Sequence, residues 1–222
     1  MAKTDNYLSL YSLISFMEYM RGKRAILKQA KSILLIILFS FFIVLFSFKT
    51  TVSFAKYTPQ QQNAVDFLLE KKQPNDRPIE LGGEYTLAEH AHMNDVQRLF
   101  KRGNALFLML IGVMTFFLSV YHEKKAEMQK MILWSGVVLA GSVLLLSIIG
   151  LVSFTSVFNL FHAIFFPQGN WQFPVDSLLI QTFPLSFFTR MSFFIFLQAF
   201  SWGILFILLA LYVSHADSKK HV

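Results

Sequence analysis

The chain has 222 residues, of which 55% are apolar, and phenylalanine alone occupies 26 positions. Charged residues make up only 15%, against about a quarter in soluble domains, and they are missing from several long apolar runs. This pattern excludes a disordered chain and an ordinary soluble globule. Cysteine is absent, which excludes disulfides, thiolate metal sites and cysteine nucleophiles. The net charge of +7 is therefore interpreted through membrane topology and not as a sign of nucleic-acid binding.

Four apolar stretches are long enough to cross a hydrocarbon layer, which needs about 20 helical residues. The sequence thus predicts a single all-α integral membrane domain with four transmembrane helices and a helical cap outside them. The predicted spans are 32–48, 103–121, 131–152 and 191–214. The segments between them are a cytoplasmic interfacial segment (1–31), an outer loop (49–102), a cytoplasmic loop (122–130), an outer interfacial or re-entrant segment (153–190) and a cytoplasmic tail (215–222).

Lysine and arginine counts predict which segments face the cytoplasm. The three segments assigned to the cytoplasm carry eleven basic residues, whereas nine are spread over the two much longer outer segments. Seven acidic residues nearly cancel the eight basic ones of the first outer loop. Both termini are therefore predicted to be cytoplasmic. Ser53-Phe54-Ala55 resembles a signal-peptide cleavage site, but the basic region before the first span is long, so we expect this span to remain as an anchor.

Two capping signals predict two helices in the outer loop. Thr58, Pro59 and Gln61 match a cap residue, a proline at the first helical position and a capping-box partner. An apolar stripe at helical spacing follows, formed by Ala64, Val65, Leu68 and Leu69. A second capping box, from Thr86 to Glu89, begins a helix that is predicted to run towards the second span.

His92 lies on this second helix, on the same face as Glu89 and Asp95, which are three residues before and after it. A carboxylate within one turn can fix the tautomer of an imidazole and raise its basicity. The alternative interpretation is a solvated polar face. His90 points about 200° away around the helix, so both histidines cannot easily reach one target.

The segment from Met131 to Val175 has 45 residues, and His162 is the only one that can carry a charge. A span uses about half of them, and the rest, which contains three helix breakers, is too apolar for an exposed loop. Such a stretch is typical of an interfacial or re-entrant segment that lines a cavity. A histidine inside it predicts function, and the alternative is a ring that simply bonds a backbone carbonyl.

Aromatic residues are dense around His162. They favour a pocket for acyl chains with a polar head group above it, although each residue taken singly is more typical of an interfacial anchor. The residues concerned are Phe161, Phe165, Trp171 and the cation Arg190.

Residues 161–188 resemble the signature segment of the lipoprotein intramolecular transacylase (Lit) family of Gram-positive bacteria. The shared features are a Phe-His pair, two further phenylalanines, Gly-x-Trp, Asp-x-Leu and Phe-Pro. Residues 89–96, EHAHMNDV, resemble the outer-helix motif of that family, with His92, Asp95 and the following valine in place. The extra His90 departs from the pattern, and the spacing to Asp-Val favours His92 as the functional histidine.

The resemblance implies an acyl transfer within one substrate molecule. The sn-2 acyl chain of a diacylglyceryl-modified N-terminal cysteine would move to the α-amine of that cysteine, giving an N-acylated lyso form. The implied partners are diacylglyceryl-modified bacterial lipoproteins and membrane lipids, at an extracytoplasmic site of the bacterial plasma membrane. We expect no cofactor, no metal, no nucleic-acid partner and a monomeric enzyme.

The implied chemistry assigns roles to these residues. The α-amine, with an ordinary pKa of about 7.7–8.0, must be neutral to attack, and a histidine is suited to take its proton and later protonate the glycerol oxygen. His162 is predicted to be this base and acid, with His92, oriented by Asp95 or Glu89, as electrostatic partner, and the reverse assignment stays open. The residues expected to bind the oxyanion or the substrate are Gly169, Asn170, Trp171, Phe161, Phe165 and Arg190.

Three other interpretations stay open, one of them a different catalytic route and two of them different classes of protein. An acyl-enzyme route would use a serine, although the chain has no G-x-S-x-G elbow, and its candidates are Ser153, Ser156 and Ser177. A metal or haem protein would use His90, His92 and His162, but neighbouring H-x-H rings on a helix point to different sides. A non-catalytic membrane partner or transporter is the third interpretation, and the uncharged middles of the spans argue against a transporter.

Overall fold

A computed structural model describes residues 2–73, 77, 79–82 and 84–219, without the side chains of 2–15, 217 and 218. The last three residues of the predicted tail lie outside this description. The described residues form six α-helices and no β-strand. The helices are α1 (Ala2–Phe54), α2 (Pro59–Leu68), α3 (Leu87–Tyr121), α4 (Lys125–Phe165), α5 (Leu178–Thr182) and α6 (Leu185–Ser218).

Four of these helices, α1, α3, α4 and α6, are long and apolar enough to cross a membrane. The predicted all-α membrane fold is thereby confirmed, with each of the four predicted spans inside one of these helices. The side of the membrane that each terminus faces stays a prediction. The short helices α2 and α5 lie against the first turns of α3 and form the helical cap.

Two of the long helices extend well beyond their predicted spans. Helix α1 is continuous from the predicted interfacial segment into the first span. Helix α4 covers the third span and continues to Phe165, and its one non-helical residue is Ser153 (φ −156°, ψ 86°). The chain therefore kinks at the predicted boundary between 131–152 and 153–190 and then resumes helical geometry. The helical segment after the kink carries His162 near the end of α4.

The interior of the bundle is formed where α4 meets α6 and α1. A Cβ atom added to Gly136 would lie 2.7 Å from the carbonyl oxygen of Gly203, so the two helices touch through their backbones. Lipid chains are as apolar as leucine, and helices in a membrane therefore associate by such close packing of small residues. Leu139 and Ala199, both fully buried, continue the same contact surface.

The cap contains both capping boxes that the sequence predicts. Thr58 and Thr86 accept from the amides three residues on, and the side chains at those positions, Gln61 and Glu89, bond back to the cap amides. The predicted apolar stripe of α2 is buried as expected except for Leu69. This residue lies past the end of α2, at its C-cap, and is 38% exposed.

Candidate active site

Two histidines from different helices face each other at one end of the bundle. His92 lies in the second turn of α3 and His162 in the last turn of α4, and both are buried. Their ring centroids are 6.1 Å apart and the ring planes differ by 27°. The end of α1 and the beginning of α6 lie at this same end of the bundle. The fold therefore brings together the two histidines to which the resemblance assigns a joint role.

The tautomer of His162 follows from its backbone contact. Its Nδ1 lies 2.8 Å from the carbonyl oxygen of Phe158, one turn earlier in α4. A carbonyl oxygen can only accept, so Nδ1 carries the proton and donates it. The backbone hydrogen bond considered as the alternative to function thus exists. It leaves Nε2 of the neutral ring with a free lone pair, which is the atom that a general base needs.

Aromatic rings enclose the two histidines. The Phe166 ring lies 5.0 Å from the His92 ring and 5.6 Å from the His162 ring, and the indole of Trp171 lies 4.8 Å from His162. Phe173 contacts His92 from another side, at 5.7 Å. The imidazoles therefore work in a space with little bulk water, where electrostatic interactions are stronger than at a surface.

Phe161 and Phe165 lie at the outer edge of this enclosure. Their rings pack on each other at 4.7 Å, and they are 43% and 48% exposed. Phe161 also contacts the edge of His162, at 5.5 Å between ring centroids. These two rings therefore present an apolar surface beside the histidine, on the outside of α4.

A tight turn after α4 brings the predicted polar residues back over the histidines. Gly169 has φ +76°, which side chains other than glycine rarely adopt, and its amide donates to the carbonyl of Phe166. The turn places Trp171 against His162 and directs the side chain of Asn170 towards α3. The Gly-x-Trp sequence is thus explained by backbone geometry.

Asp95 ties this turn to α3. Its Oδ2 accepts from the amide nitrogens of Asn170 at 2.7 Å and Gln168 at 2.8 Å, and its Oδ1 pairs with Arg98. Sequence reasoning did not single out Gln168 or Arg98. Arg98 had a local signal, because it lies three residues after Asp95 on the same helix face.

Two buried polar atoms between the turn and α3 lack a partner among the described residues. They are Nδ1 of His92 and Oδ1 of Asn170. Asn170 neighbours the imidazole of His92, and no hydrogen bond joins the two side chains in this structure. Because the amide nitrogen of Asn170 is held by Asp95, its oxygen is the atom left to meet this ring.

Glu89 forms the predicted capping box but makes no hydrogen bond to His92. It is 1% exposed, and its Oε2 accepts from the amide and the hydroxyl of Thr86. Its Oε1 accepts from the amide of Leu179, at the start of α5. Neither oxygen bonds to His92, because the capping box and the docking of α5 use both.

His90 and Arg190 lie apart from the histidine pair. The His90 ring packs against Tyr85 at 6.2 Å, and burial raises the pKa of that tyrosine. Arg190 lies over the ring of Phe187 and lines a cavity that includes neither His92 nor His162.

The other proposed chemistries gain no site in the described part of the chain. No group of three or more histidine, aspartate or glutamate side chains there is arranged to hold a metal ion. The hydroxyls of Ser153 and Ser156 bond to each other at 2.8 Å, and Ser177 caps α5. None of these hydrogen bonds includes a histidine.

Fold and site together define an all-helical, membrane-integral protein with a buried histidine pair at one end of its bundle. The profile of the family described as lipoprotein intramolecular transacylase Lit matches residues 84–188, which include both histidines and the turn. The resemblance to the Lit family that the sequence predicts is thereby confirmed.

Solved structures of similar fold come from Bacillus cereus. The membrane-integral lipoprotein intramolecular transacylase Lit of that organism matches with a TM-score of 0.68 and 17% identity, over 87% of this chain and 100% of that one. A histidine variant of the same enzyme matches with a TM-score of 0.65 over 89% of this chain and 98% of that one, also at 17% identity. An uncharacterised protein of Aquifex aeolicus (strain VF5) is 28% identical over 123 residues. That alignment covers about half of each protein, 54% of this chain and 54% of the relative.

Proposed function

We propose that this chain is a lipoprotein intramolecular transacylase that moves the sn-2 acyl chain of a diacylglyceryl-cysteine to the α-amine of the same cysteine. The observation that carries the proposal is the facing pair of buried histidines, with a free lone pair on Nε2 of His162. The family profile covers the segment that contains this pair, which supports the same reaction.

The proton balance of the reaction matches one cycling base. The neutral amine attacks the ester carbonyl, a C–N bond forms, and Nε2 of His162 takes a proton from the amine nitrogen. When the tetrahedral intermediate breaks its C–O bond, the imidazolium returns that proton to the departing glycerol oxygen. His162 ends as it began, and general acid–base catalysis of this kind contributes about 10²–10⁴-fold.

His92 is positioned for a supporting role through Asn170. Asp95 only accepts hydrogen bonds, so it holds the amide nitrogen of Asn170 and leaves the buried amide oxygen available to Nδ1 of His92, which also lacks a partner. An oxygen facing Nδ1 favours the tautomer with its proton on that nitrogen. Nε2 of His92 then accepts a hydrogen bond from the second N–H of the substrate amine and helps to aim its lone pair. Asn170 is thus a positioning residue, and Asp95 orients His92 through it.

The oxyanion needs a donor that is not already in use. The amide nitrogen of Asn170 donates to Asp95, and the backbone amide of Gly169 donates to Phe166. The indole N–H of Trp171 has no hydrogen-bond partner among the described residues, although its ring lies against His162. We therefore assign it as the donor to the developing oxyanion, an interaction typically worth about 2.7–4 kcal/mol.

Placing amine and ester in one molecule removes most of the entropic cost, since well-oriented intramolecular reactions save roughly 7–11 kcal/mol. The enclosure by Phe166 and Phe173 then has to hold one conformer of the head group and keep water away from the ester. The exposed faces of Phe161 and Phe165 offer a surface for the acyl chains at the membrane interface.

The test is tandem mass spectrometry of the N-terminal lipopeptide of an abundant lipoprotein. The host is a bacterium that makes only diacylglyceryl lipoproteins, with and without this chain. We expect an isomer of unchanged mass with one acyl chain on nitrogen and one on glycerol. An added third chain would point to an external acyl donor, and an unchanged lipopeptide with the protein present in the membrane would refute the proposal.

A further inference from the structure

A cavity apart from the histidine pair lies at the same end of the bundle. It measures about 600 Å³ and is formed where the linker between α1 and α2 meets the beginning of α6. Lys56 comes from the linker and Arg190 from the first turns of α6. The rings of Phe187, Phe188 and Phe158 follow one another in contact from this cavity to His162, so an aromatic wall lies between the two sites.

The two cations of this cavity are not neutralised. Neither Lys56 nor Arg190 has an ion-pair partner among the described residues, and the cavity lining contains no carboxylate. Three other basic residues of the outer segments have acidic partners, namely Lys71 with Asp66, Arg98 with Asp95 and Lys101 with Glu70. Lys49 instead donates to the amide oxygen of Asn104. A concave site that contains two unpaired cations attracts anions.

The geometry of Arg190 suits a phosphate group. Its guanidinium lies over the ring of Phe187, 6.0 Å from the ring centre, which orients the plane and leaves the N–H edges free to donate. An arginine held in this way can bind two phosphate oxygens at once, while Lys56 adds a second positive charge. Ser186, in the same lining, supplies a hydroxyl.

The polar side chains beside the two cations donate hydrogen bonds within the protein and carry no charge. The amide nitrogen of Gln61 donates to the carbonyl of Thr182, and the hydroxyl of Tyr57 donates to the carbonyl of Val52. Burial raises the pKa of Tyr57, so its phenol adds no negative charge. The positive charge of the cavity is therefore open to a ligand from outside the protein.

The surroundings of the cavity indicate a lipid and not a free ion. It lies where two membrane-length helices, α1 and α6, end and begin. Phe54 and Leu185, each within two residues of the cavity lining along the chain, are 85% and 40% exposed. An apolar rim beside a cationic hollow matches a phospholipid, whose acyl chains and head-group phosphate meet at this depth, and basic pockets between membrane helices bind such head groups.

We propose that the Lys56–Arg190 cavity binds the head-group phosphate of an anionic membrane phospholipid. The site is separate from the histidine pair and does not depend on the acyl-transfer proposal, since its ligand is bound and not converted.

The test measures lipid binding to the purified full chain by native mass spectrometry. The chain is titrated with dioleoylphosphatidylglycerol, with dioleoylphosphatidylcholine and with inorganic phosphate. We expect clear preference for the glycerol lipid and no displacement of it by inorganic phosphate at equal concentration. Equal retention of the two lipids would overturn the proposal. Displacement by inorganic phosphate would overturn the lipid assignment and define a site for the free ion.

Variants locate the binding. The double variant Lys56→Gln/Arg190→Gln should weaken binding of the glycerol lipid about 30-fold, since each cation near an anionic surface contributes about fivefold. Both side chains are exposed, so this variant should keep the thermal unfolding temperature of the wild type. The control Lys71→Gln/Arg102→Gln removes two outer charges elsewhere and should change binding less than threefold. Equal losses in both double variants would show a diffuse charge effect and refute the site.

Discussion

The cap and the interior of the bundle are held together in different ways. In the cap, buried and half-buried polar side chains bond across elements, as Glu89 does to α5, Gln61 to Thr182 and Asp95 to Asn170. In the bundle, α4 and α6 meet through the backbones of Gly136 and Gly203. Directional bonds orient the side chains of the cap. The bundle relies chiefly on close packing, with a few interhelical hydrogen bonds such as Ser40 to the carbonyl of Ser135. Changes in the cap should therefore alter the chemistry, and changes in the bundle should alter the stability.

The largest effect is expected from His162→Ala. Because Nε2 of this ring is the proposed base, transfer activity should fall about 10²–10⁴-fold. The measurement is the rate at which the N-acylated lyso lipopeptide appears with purified enzyme, together with the thermal unfolding temperature.

His90→Ala is the matched control, because His90 is a nearby histidine of the same end of the bundle that packs on Tyr85 and not on the pair. It should retain activity within about threefold. Wild-type transfer by the His162 variant would show that another group takes the proton.

An intermediate effect is expected from Asn170→Ala, which removes the link between Asp95 and His92. Losing such a supporting hydrogen bond typically costs about 10–100-fold. The loss should fall on kcat with KM nearly unchanged, because the side chain orients a catalytic ring. Nitrogen NMR of labelled histidine should show Nδ1 of His92 protonated in the wild type and a mixture of tautomers in the variant.

Gln168→Ala is a matched control for this prediction, since Gln168 donates to the same carboxylate oxygen of Asp95 as Asn170 does. It should leave the tautomer of His92 and kcat nearly unchanged. Equal effects of the two substitutions would mean that Asn170 only anchors the turn and does not position His92.

Local patterns in the sequence predicted the parts of this molecule that depend on local contacts. Each capping box needs only residues three apart, and both formed. The kink at Ser153 falls where the length of an apolar span ends, because a bilayer sets that length. The approach of His92 to His162 was expected from the family resemblance, since spacing alone places them on separate helices.

Contacts between distant segments were not predictable in this way. Asp95 and Asn170 are 75 residues apart, and their bond depends on the turn at Gly169 and on the angle between α3 and α4. Glu89 was one of the two carboxylates expected to orient His92, and its oxygens serve the predicted capping box and the docking of α5 instead. A carboxylate that caps its own helix has little capacity left for a histidine one turn later.

The smallest effect on catalysis is expected from Gly136→Val in the bundle. The new Cβ would lie 2.7 Å from the carbonyl of Gly203 and 3.0 Å from Ile207, so α4 and α6 must separate. Overpacking of this kind costs about 1–3 kcal/mol of stability. Activity per folded molecule should remain within about threefold of wild type, because the substitution lies in the bundle and leaves the contacts of the cap and of the histidine pair unchanged. Gly141→Val is the control, since a Cβ there meets nothing within 4 Å, and this variant should unfold at the wild-type temperature.

A different outcome for Gly136→Val would contradict the comparison between cap and bundle. If this variant lost activity while keeping its unfolding temperature, packing in the bundle would be part of the catalytic geometry. The cap would then not be the only region that determines the chemistry.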